Sequence, residues 1–206
     1  MASFITLEGG EGAGKSTQAR LLADALVALG LPVLRTREPG GAPGAELLRG
    51  LLLGGPIEWS APAETLLHFA ARAEHVAKTI RPALAAGLWV VCDRFYDSTM
   101  AYQGYGQGND RATIATLAGL LGLVPDVTLV LDVSEAVADA RRMQRAAASD
   151  RYERLDAAFH TRVRHGFRAI AAAAPDRCVL VAADAGVADV HAAIMEALRG
   201  RSILPV

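Results

Sequence analysis

The chain has 206 residues, enough for one domain of ordinary size. Hydrophobic residues make up 52% of it and charged residues 21%, a balance that supports a packed core and excludes an intrinsically disordered chain. The formal net charge of −1 excludes a general electrostatic attraction to nucleic acid or to an anionic membrane, so we expect neither as a partner.

Five short apolar runs are typical of β-strands. They are nearly continuous rather than alternating, which indicates a parallel sheet that is buried on both faces. In chain order they are FITLE (residues 4–8), PVLRT (32–36), LWVVCD (88–93), VTLVLD (127–132) and CVLVA (178–182).

Helical patterns separate these strands. They cover residues 16–29, 61–86, 112–121, 135–147, 151–173 and 187–198, whereas the glycine-rich tracts REPGGAPG (37–44) and YQGYGQGND (102–110) are predicted as loops. Alternation of strand and helix predicts an α/β fold with right-handed crossovers. Neither an internal repeat nor a linker is evident, so residues 1–206 are predicted to form a single domain.

The two cysteines indicate the cellular compartment. Cys92 and Cys178 both lie in apolar runs, as expected of reduced core thiols rather than of a disulfide or a metal site. The N-terminal segment lacks the pattern of a secretory signal, and no apolar run approaches the ~18 residues of a membrane helix. We therefore expect a soluble, cytoplasmic protein.

The most specific local motif is GGEGAGKST, which joins the first strand to the first helix. Gly9, Gly14, Lys15 and Ser16 satisfy G-x-x-x-x-G-K-[ST] in the strand–loop–helix context that the motif requires. In such a loop the backbone N–H groups and the helix N-terminus bind phosphate oxygens, the lysine reaches the β- and γ-phosphates, and the serine ligates Mg²⁺. The motif predicts binding of a nucleoside triphosphate with magnesium.

Carboxylates end two of the predicted strands. Asp93 closes LWVVCD and Asp132 closes VTLVLD, and ligands of open α/β sheets collect at the carboxyl ends of strands. We therefore expect both carboxylates to face the phosphates. Asp93 is the stronger candidate, because Arg94 follows it directly.

Arginines recur at the predicted strand ends and on the helix that follows the second strand. A binding site for a second phosphorylated substrate explains Arg37, Arg49, Arg72 and Arg94 together more simply than four unrelated surface charges. The base-reading motif N-K-x-D of GTPases is absent from the sequence. The pattern favours a small-molecule kinase over a GTPase switch.

Longer motifs resemble those of one family. TREPGG (36–41), FAAR (69–72) and DRFYDSTMAYQG (93–104), together with EGGEGAGKST, are similar to bacterial-type thymidylate kinases, and the resemblance spans nearly the whole chain. It implies a P-loop NTPase fold with a five-stranded parallel sheet, helices on both faces and a short arginine-bearing lid near residues 141–154. It also implies transfer of the γ-phosphoryl group of ATP to dTMP, Mg²⁺ as cofactor, and a homodimer.

The resemblance assigns residues to each substrate. Lys15, Asp93, Arg94, Arg145 and Arg151 are expected to be catalytic, and Ser16 and Asp93 to hold Mg²⁺, Asp93 directly or through water. ATP is expected to contact Gly10, Glu11, Gly12, Ala13, Gly14, Lys15, Ser16, Thr17 and Arg142. dTMP is expected to contact Glu11, Glu38, Arg49, His68, Phe69, Arg72, Arg94, Ser98, Thr99, Tyr102 and Gln103.

More specific roles also follow from the resemblance. Arg49 and Arg94 match residues that bind the acceptor phosphate, and Arg72 matches one that reads the thymine O4. Thr99 and Gln103 lie where the base edge is read. Tyr102 is expected to pack against the sugar, and Glu11 to accept a hydrogen bond from its 3′-hydroxyl.

One position departs from the family pattern. The family usually places an aromatic residue four positions before the base-reading arginine, where this chain has His68, and Phe69 lies three positions before it. Both spacings keep the ring on the same helix face as Arg72. The choice between the two rings stays open.

The source of positive charge near the transferred phosphoryl group is a second open point. The phosphate loop has Gly12 where some relatives have an arginine, and Arg141, Arg142 and Arg145 precede a loop of small residues. We expect that lid to supply the charge, through Arg145 or Arg151. Two alternatives to this function are a kinase for another nucleoside monophosphate and a non-catalytic nucleotide-binding protein.

Overall fold

The computed structural model describes residues 2–54, 57–143, 151–152 and 155–204. Five parallel strands form one sheet in the order β2-β3-β1-β4-β5. They are β1 (Phe4–Glu8), β2 (Val33–Arg37), β3 (Trp89–Asp93), β4 (Val127–Asp132) and β5 (Cys178–Ala182). The sheet confirms the five predicted strands, each within one residue at either end.

Helices connect consecutive strands. In chain order they are α1 (Lys15–Ala28), α2 (Pro43–Leu53), α3 (Ala61–His75), α4 (Arg81–Ala85), α5 (Tyr96–Thr99), α6 (Arg111–Leu120), α7 (Glu135–Met143), α8 (Ala157–Ala173) and α9 (Val187–Gly200). A π-helical turn, Val76–Ile80, joins α3 to α4, and a second π-helical segment, Met100–Gly106, continues α5. None of the helices within the described ranges is long and apolar enough to cross a membrane.

Both faces of the sheet are buried, as the continuous apolar strands predict. On one face Ile5, Leu7 and Leu129 pack in a cluster with side chains of α1 and α9. On the other face Phe4 packs beside the π-helical turn, and Val130 packs against α8. Side chains of a strand alternate between its two faces, so each strand contributes to both layers.

Three predictions of local structure are wrong in part. The first is that residues 37–44 form a loop: residues 38–42 do, but Arg37 completes β2 and Pro43 begins α2, a helix that the glycine- and proline-rich sequence concealed. Proline is compatible with a helix start, because the N–H that it lacks has no partner in the first turn. The second is that residue 151 begins a helix. The helix begins instead after Asp156, whose carboxylate accepts the Phe159 N–H at 2.7 Å and caps α8.

The third prediction, that residues 102–110 form a loop, holds only for residues 107–110, because the tract is helical as far as Gly106. Gly106 is required by close packing and not by a turn, since a Cβ atom there would lie 2.6 Å from Cε2 of Phe159 in α8. The glycines that suggested a loop instead let this segment lie against α8.

Candidate active site

A cavity of about 270 Å³ opens at the carboxyl ends of β1, β2 and β3. Most of the predicted site residues line this one cavity. They are Glu11, Gly12, Gly14, Lys15, Ser16, Glu38, Arg49, His68, Arg72, Asp93, Arg94, Ser98, Thr99, Tyr102 and Gln103. The fold therefore brings together residues from four separate motifs, because the carboxyl ends of neighbouring parallel strands meet at one edge of the sheet.

Several predicted residues lie elsewhere. Gly10 and Arg142 line a smaller, second cavity on the α7–α8 side of the phosphate loop. Ala13, Thr17, Phe69 and Arg151 are not part of either cavity wall. Arg145 lies outside the described residues, as does most of the predicted lid.

The phosphate loop turns sharply between β1 and α1. Gly12 has a φ of +77°, and a Cβ atom there would lie 2.6 Å from the backbone oxygen of Ala138 in α7. Gly14, with a φ of +90°, precedes the first residue of α1. Only glycine readily adopts a positive φ and has no Cβ atom to collide with α7. Gly12 therefore lets α7 pack directly against the phosphate loop.

Lys15 is buried in this loop and its ammonium group donates to the Gly10 carbonyl at 2.7 Å. Burial lowers the pKa of Lys15 to about 8, and the positive charge of Arg94 acts in the same direction. The nearby carboxylates of Glu11 and Asp93 oppose this change. The ammonium group thus lies in the wall of the cavity. An anionic ligand bound there would favour its protonated, charged form.

Ser16 and Asp93 form a pair at the floor of the cavity. The Ser16 hydroxyl donates to Asp93 Oδ2 at 2.5 Å, and Asp93 Oδ1 is buried with no hydrogen-bond partner among the described residues. A hydroxyl oxygen beside a carboxylate with a free buried oxygen suits a hard cation such as Mg²⁺. The two residues predicted to hold the metal are therefore in contact in the folded chain.

Asp132 differs from Asp93. Its two oxygens accept hydrogen bonds from Arg164 at 2.8 Å and from Arg168 at 2.6 Å, both from α8. It lines the second cavity and not the one that contains Lys15 and Ser16. The expectation that both carboxylates face the same phosphates is wrong, because two arginines of α8 already bind Asp132.

Arg94 joins the phosphate loop to the other side of the cavity. It follows β3 with a φ of +72°, a left-handed conformation that is unusual for a residue with a side chain. One terminal nitrogen donates to the Gly9 carbonyl at 3.2 Å and to Ser98 Oγ at 3.1 Å. The other donates to Glu11 and to the Tyr102 hydroxyl.

This clasp makes Arg94 a fixed positive charge. Burial disfavours the charged form, but Glu11 and the other nearby acidic groups hold the pKa of Arg94 well above its usual value. Tyr102 also donates to Glu11 at 2.7 Å, and its ring lies 4.9 Å from the guanidinium carbon of Arg94. Backbone strain held in place by this many contacts is typical of functional positions.

A buried ion pair forms the opposite wall. Arg72 donates from Nε to Glu38 Oε2 at 2.6 Å, from Nη1 to Thr99 at 3.2 Å and from Nη2 to the Phe95 carbonyl at 3.1 Å. His75 Nδ1 lies 3.0 Å from the second oxygen of Glu38. The partners fix the plane of the guanidinium group of Arg72, as recognition of a flat ligand requires.

The structure separates the two candidate rings of α3. His68 lines the cavity, whereas Phe69 is buried beside it with its ring 4.9 Å from the guanidinium carbon of Arg72. Burial lowers the pKa of His68 to about 3, and the charges of Arg72 and Arg94 contribute in the same direction. His68 is therefore a neutral aromatic ring in the cavity wall.

A polar cluster lies beneath His68, and sequence reasoning predicted its members Gln103 and Arg151 but missed the carboxylate and the tyrosine that they contact. Tyr152, which lines the cavity, donates to the buried carboxylate of Glu64 at 2.7 Å, and Gln103 donates to the same oxygen at 2.9 Å. Arg151 pairs with the other oxygen of Glu64 at 2.9 Å. A charged residue at a buried position of α3 was the available signal, but its partners lie far along the chain.

Arginines of α7 reach the other side of the phosphate loop. Arg141 donates to the Gly12 carbonyl at 3.4 Å and to the Ala185 carbonyl at 2.9 Å. Arg142 forms an ion pair with Asp139 of the same helix. The end of α7 therefore places basic residues beside the loop that binds phosphate.

Three features define a P-loop phosphotransferase. A phosphate loop follows β1 of a parallel sheet, a Ser–Asp pair suited to Mg²⁺ lies beside that loop, and the same cavity has a second, arginine-lined region. Comparison with known proteins identifies the family. The family model for thymidylate kinase matches residues 7–194. The chain belongs to the thymidylate kinase family.

Individual relatives agree with this family. A thymidylate kinase of Rhizorhabdus wittichii is 54% identical over 199 residues, which cover 95% of this chain and 96% of the relative. One of Gluconobacter oxydans is also 54% identical, with coverage of 95% and 93%. A crystal structure of thymidylate kinase from Ehrlichia chaffeensis superposes with a TM-score of 0.78 at 37% identity, covering 96% of this chain and 98% of that one.

Proposed function

We propose that this site transfers the γ-phosphoryl group of ATP to dTMP, giving dTDP and ADP. The observation that carries the proposal is that one cavity holds both Lys15 and Ser16 of the phosphate loop and the arginines Arg49, Arg72 and Arg94. A protein that only binds a nucleotide has no use for the second set. Family membership favours dTMP over other nucleoside monophosphates as the acceptor.

The donor side uses the phosphate loop. Its backbone amides and the N-terminus of α1 bind the phosphates of ATP, and Lys15 contacts the β- and γ-phosphates. Arg142 and the loop residues 10–17 complete the ATP contacts. The charge of Lys15 neutralises the phosphoryl group in transfer.

Ser16 and Asp93 would hold Mg²⁺ with the ATP phosphates. The free, buried oxygen of Asp93 and the adjacent hydroxyl of Ser16 fit an oxygen-liganded cation. When bound, the cation would neutralise negative charge on the ATP phosphates. Asp93 would bind it directly or through water.

The acceptor side uses residues of α2, α3, α5 and the π-helical segment, and of the turns that follow β2 and β3. Arg94 and Arg49 bind the phosphate of dTMP, and Arg94 contacts the phosphate loop at the Gly9 carbonyl. Arg72, Thr99 and Gln103 read the base edge, since Arg72 already contacts Thr99 and both line the cavity. Glu38 holds Arg72 in place, and Ser98 holds Arg94.

Neighbouring side chains determine the fit of the nucleoside. His68 rather than Phe69 covers the thymine ring, because His68 forms part of the cavity wall. Tyr102 packs where a 2′-hydroxyl would project, and Glu11 accepts a hydrogen bond from the 3′-hydroxyl. Glu11 lies beside the backbone cradle and beside Arg94, so it can serve the sugar without opposing the ATP phosphates.

The lid supplies further positive charge at the transferred group, through Arg145 or Arg151. Catalysis of phosphoryl transfer depends mainly on positioning and on charge stabilisation. Loss of one such contact lowers kcat by about 10²-fold or more. Steady-state kinetics of Arg145→Ala and Arg151→Ala test this role, and an unchanged kcat in both variants would contradict it.

The central experiment is an ADP-release assay with ATP and a panel of nucleoside monophosphates. We expect turnover that depends on dTMP, with weaker use of dUMP, because one methyl group in a pocket is worth only about 1–3 kcal/mol. Equal or greater turnover with dCMP would favour a different acceptor. ADP release that is independent of any monophosphate would contradict the kinase assignment.

We also propose a homodimer. The exposed face of α3 carries apolar residues at helical spacing, Pro62, Leu66, Ala70 and Ala73, with Leu66 56% exposed. The neighbouring α2 exposes Leu47 to 75%. Exposed apolar side chains on two neighbouring helices favour a protein interface. Light scattering should give twice the chain mass, and Leu66→Arg should reduce it to the mass of one chain.

The cytoplasm is the proposed location. Cys92 and Cys178 are buried free thiols, as expected in a reducing compartment. Fractionation of cells that express the tagged chain tests this location.

A further inference from the structure

The last residue of β1, Glu8, is a fully buried carboxylate to which the proposed reaction assigns no role. A buried carboxylate is costly unless hydrogen bonds compensate its lost hydration. Burial and the neighbouring charge of Asp97 raise the pKa of Glu8 to about 7, against the stabilising effects of Ser98, Arg94 and the Phe95 amide.

Within the described part of the chain, the hydrogen bonds of Glu8 go to the turn after β3. Oε1 accepts the backbone N–H of Phe95 at 2.7 Å and that of Ser98 at 3.2 Å. Oε2 accepts the Ser98 hydroxyl at 2.5 Å. Glu8 therefore binds the residues on the C-terminal side of Arg94, across 87 to 90 positions of sequence.

The Ser98 hydroxyl connects Glu8 to Arg94. Since its proton is donated to Glu8, its oxygen lone pairs face the other way and accept Nη1 of Arg94 at 3.1 Å. The same terminal nitrogen donates to the Gly9 carbonyl, which directly follows Glu8 in the chain. One carboxylate thus contacts the backbone of the turn that follows Arg94 and, through the Ser98 hydroxyl, the side chain of Arg94.

We propose that Glu8 is a positioning residue for the acceptor phosphate, acting on Arg94 through the Ser98 hydroxyl and the backbone amides of Phe95 and Ser98. The role rests on the proposed function, in which Arg94 binds that phosphate. The Glu8 carboxylate touches neither substrate and sets the direction of the guanidinium group that does.

The kinetic test compares Glu8→Gln, Ser98→Ala and the double variant. We expect each single variant to raise the KM for dTMP about tenfold, the effect of one weakened hydrogen bond to a charged group, with the KM for ATP unchanged. Because both changes break the same chain of contacts, the double variant should be no worse than the more affected single variant. Multiplied effects in the double variant, or an equal rise in the KM for ATP, would overturn the proposal.

Asp97→Asn is the matched control. Asp97 is a buried carboxylate in α5, the short helix that also contains Ser98. It pairs with Arg177 and not with Ser98 or Arg94. We expect it to lower the melting temperature and to leave the KM for dTMP unchanged. A rise in that KM comparable to the rise in Ser98→Ala would mean that lost stability alone explains the effect and would overturn the proposal. If Glu8→Gln does not fold, the comparison of Ser98→Ala with Asp97→Asn tests the proposal by itself.

A crystal structure of the Ser98→Ala variant, or of Glu8→Gln, tests the relay without turnover. We expect the guanidinium group of Arg94 to leave the Gly9 carbonyl. A guanidinium group that keeps this contact in the variants overturns the relay, whether or not the wild-type protein phosphorylates dTMP. An absence of dTMP-dependent ADP release from the wild type would instead contradict the proposed function.

Discussion

Glu38→Gln tests how strongly the wall of the acceptor pocket depends on one buried charge. The side chains of Glu38 and Arg72 are only 2% and 3% exposed, and they meet at 2.6 Å. The variant keeps the size of the side chain but leaves Arg72 without its anionic partner, and breaking a buried ion pair in this way costs about 3–5 kcal/mol. Thr99 and the Phe95 carbonyl still accept from Arg72, so the lower end of this range is expected.

The cost converts into a measurable shift of the melting temperature. With an unfolding entropy of about 2.1 cal/mol/K per residue, 3–5 kcal/mol lowers the melting temperature of a chain of this length by about 7 to 12 °C. Differential scanning calorimetry measures the shift, and isothermal titration should show weaker binding of dTMP, because the plane of Arg72 is no longer fixed.

Glu46→Gln is the matched control for this prediction. Glu46 pairs with Arg37 at 3.2 Å, but the two side chains are 42% and 54% exposed. Exposed pairs contribute about 0–1 kcal/mol, so the control should shift the melting temperature by no more than about 2 °C. If Glu38→Gln shifts the melting temperature as little as the control does, the argument from burial is refuted.

Three further predictions concern the phosphate loop and Arg94. Arg94→Lys keeps the charge but loses the planar fork, so the KM for dTMP should rise with the KM for ATP spared; an equal rise in both would contradict the assigned role. Glu11→Ala should weaken dTMP binding more than ATP binding in calorimetric titrations, and the reverse order would count against contact with the sugar. Gly12→Ala should cost at least about 1–2 kcal/mol in urea denaturation, because its φ is positive and a Cβ atom would collide with α7. Gly10→Ala, where a Cβ atom meets nothing within 4 Å, is its control, and equal stability of the two variants would refute the steric argument.

Local patterns predicted much of the fold. The five strands could be read from continuous apolar runs, because burial on both faces leaves a strong compositional signal. Helix α2 could not, since Pro43 and the glycines before it have the same local signature at a helix start as in a loop. The π-helical segment was missed for a related reason: Gly106 serves close packing against Phe159, which lies more than 50 residues away.

The candidate site shows the same division. The phosphate-loop motif and the arginines after the strands could be found because each carries its chemistry in a short stretch of sequence. Arg72 and Thr99 could be placed in one cavity only by the fold, which joins α3 to the segment after β3. Tyr152 lines the cavity, but no local pattern predicts this position, since its hydrogen bond to Glu64 spans 88 positions of sequence.

The amino-acid sequence by itself determined the strand–helix alternation, the phosphate loop and the family, because these depend on neighbouring residues and on fixed spacing. Only the tertiary structure decided which charges are buried and what they hold. Glu8 lies in the phosphate-loop motif and Glu64 in none, yet each carboxylate is stable in the interior only through partners that folding brings to it. Compensation of a buried charge is a property of its surroundings, and those surroundings exist only once the chain has folded.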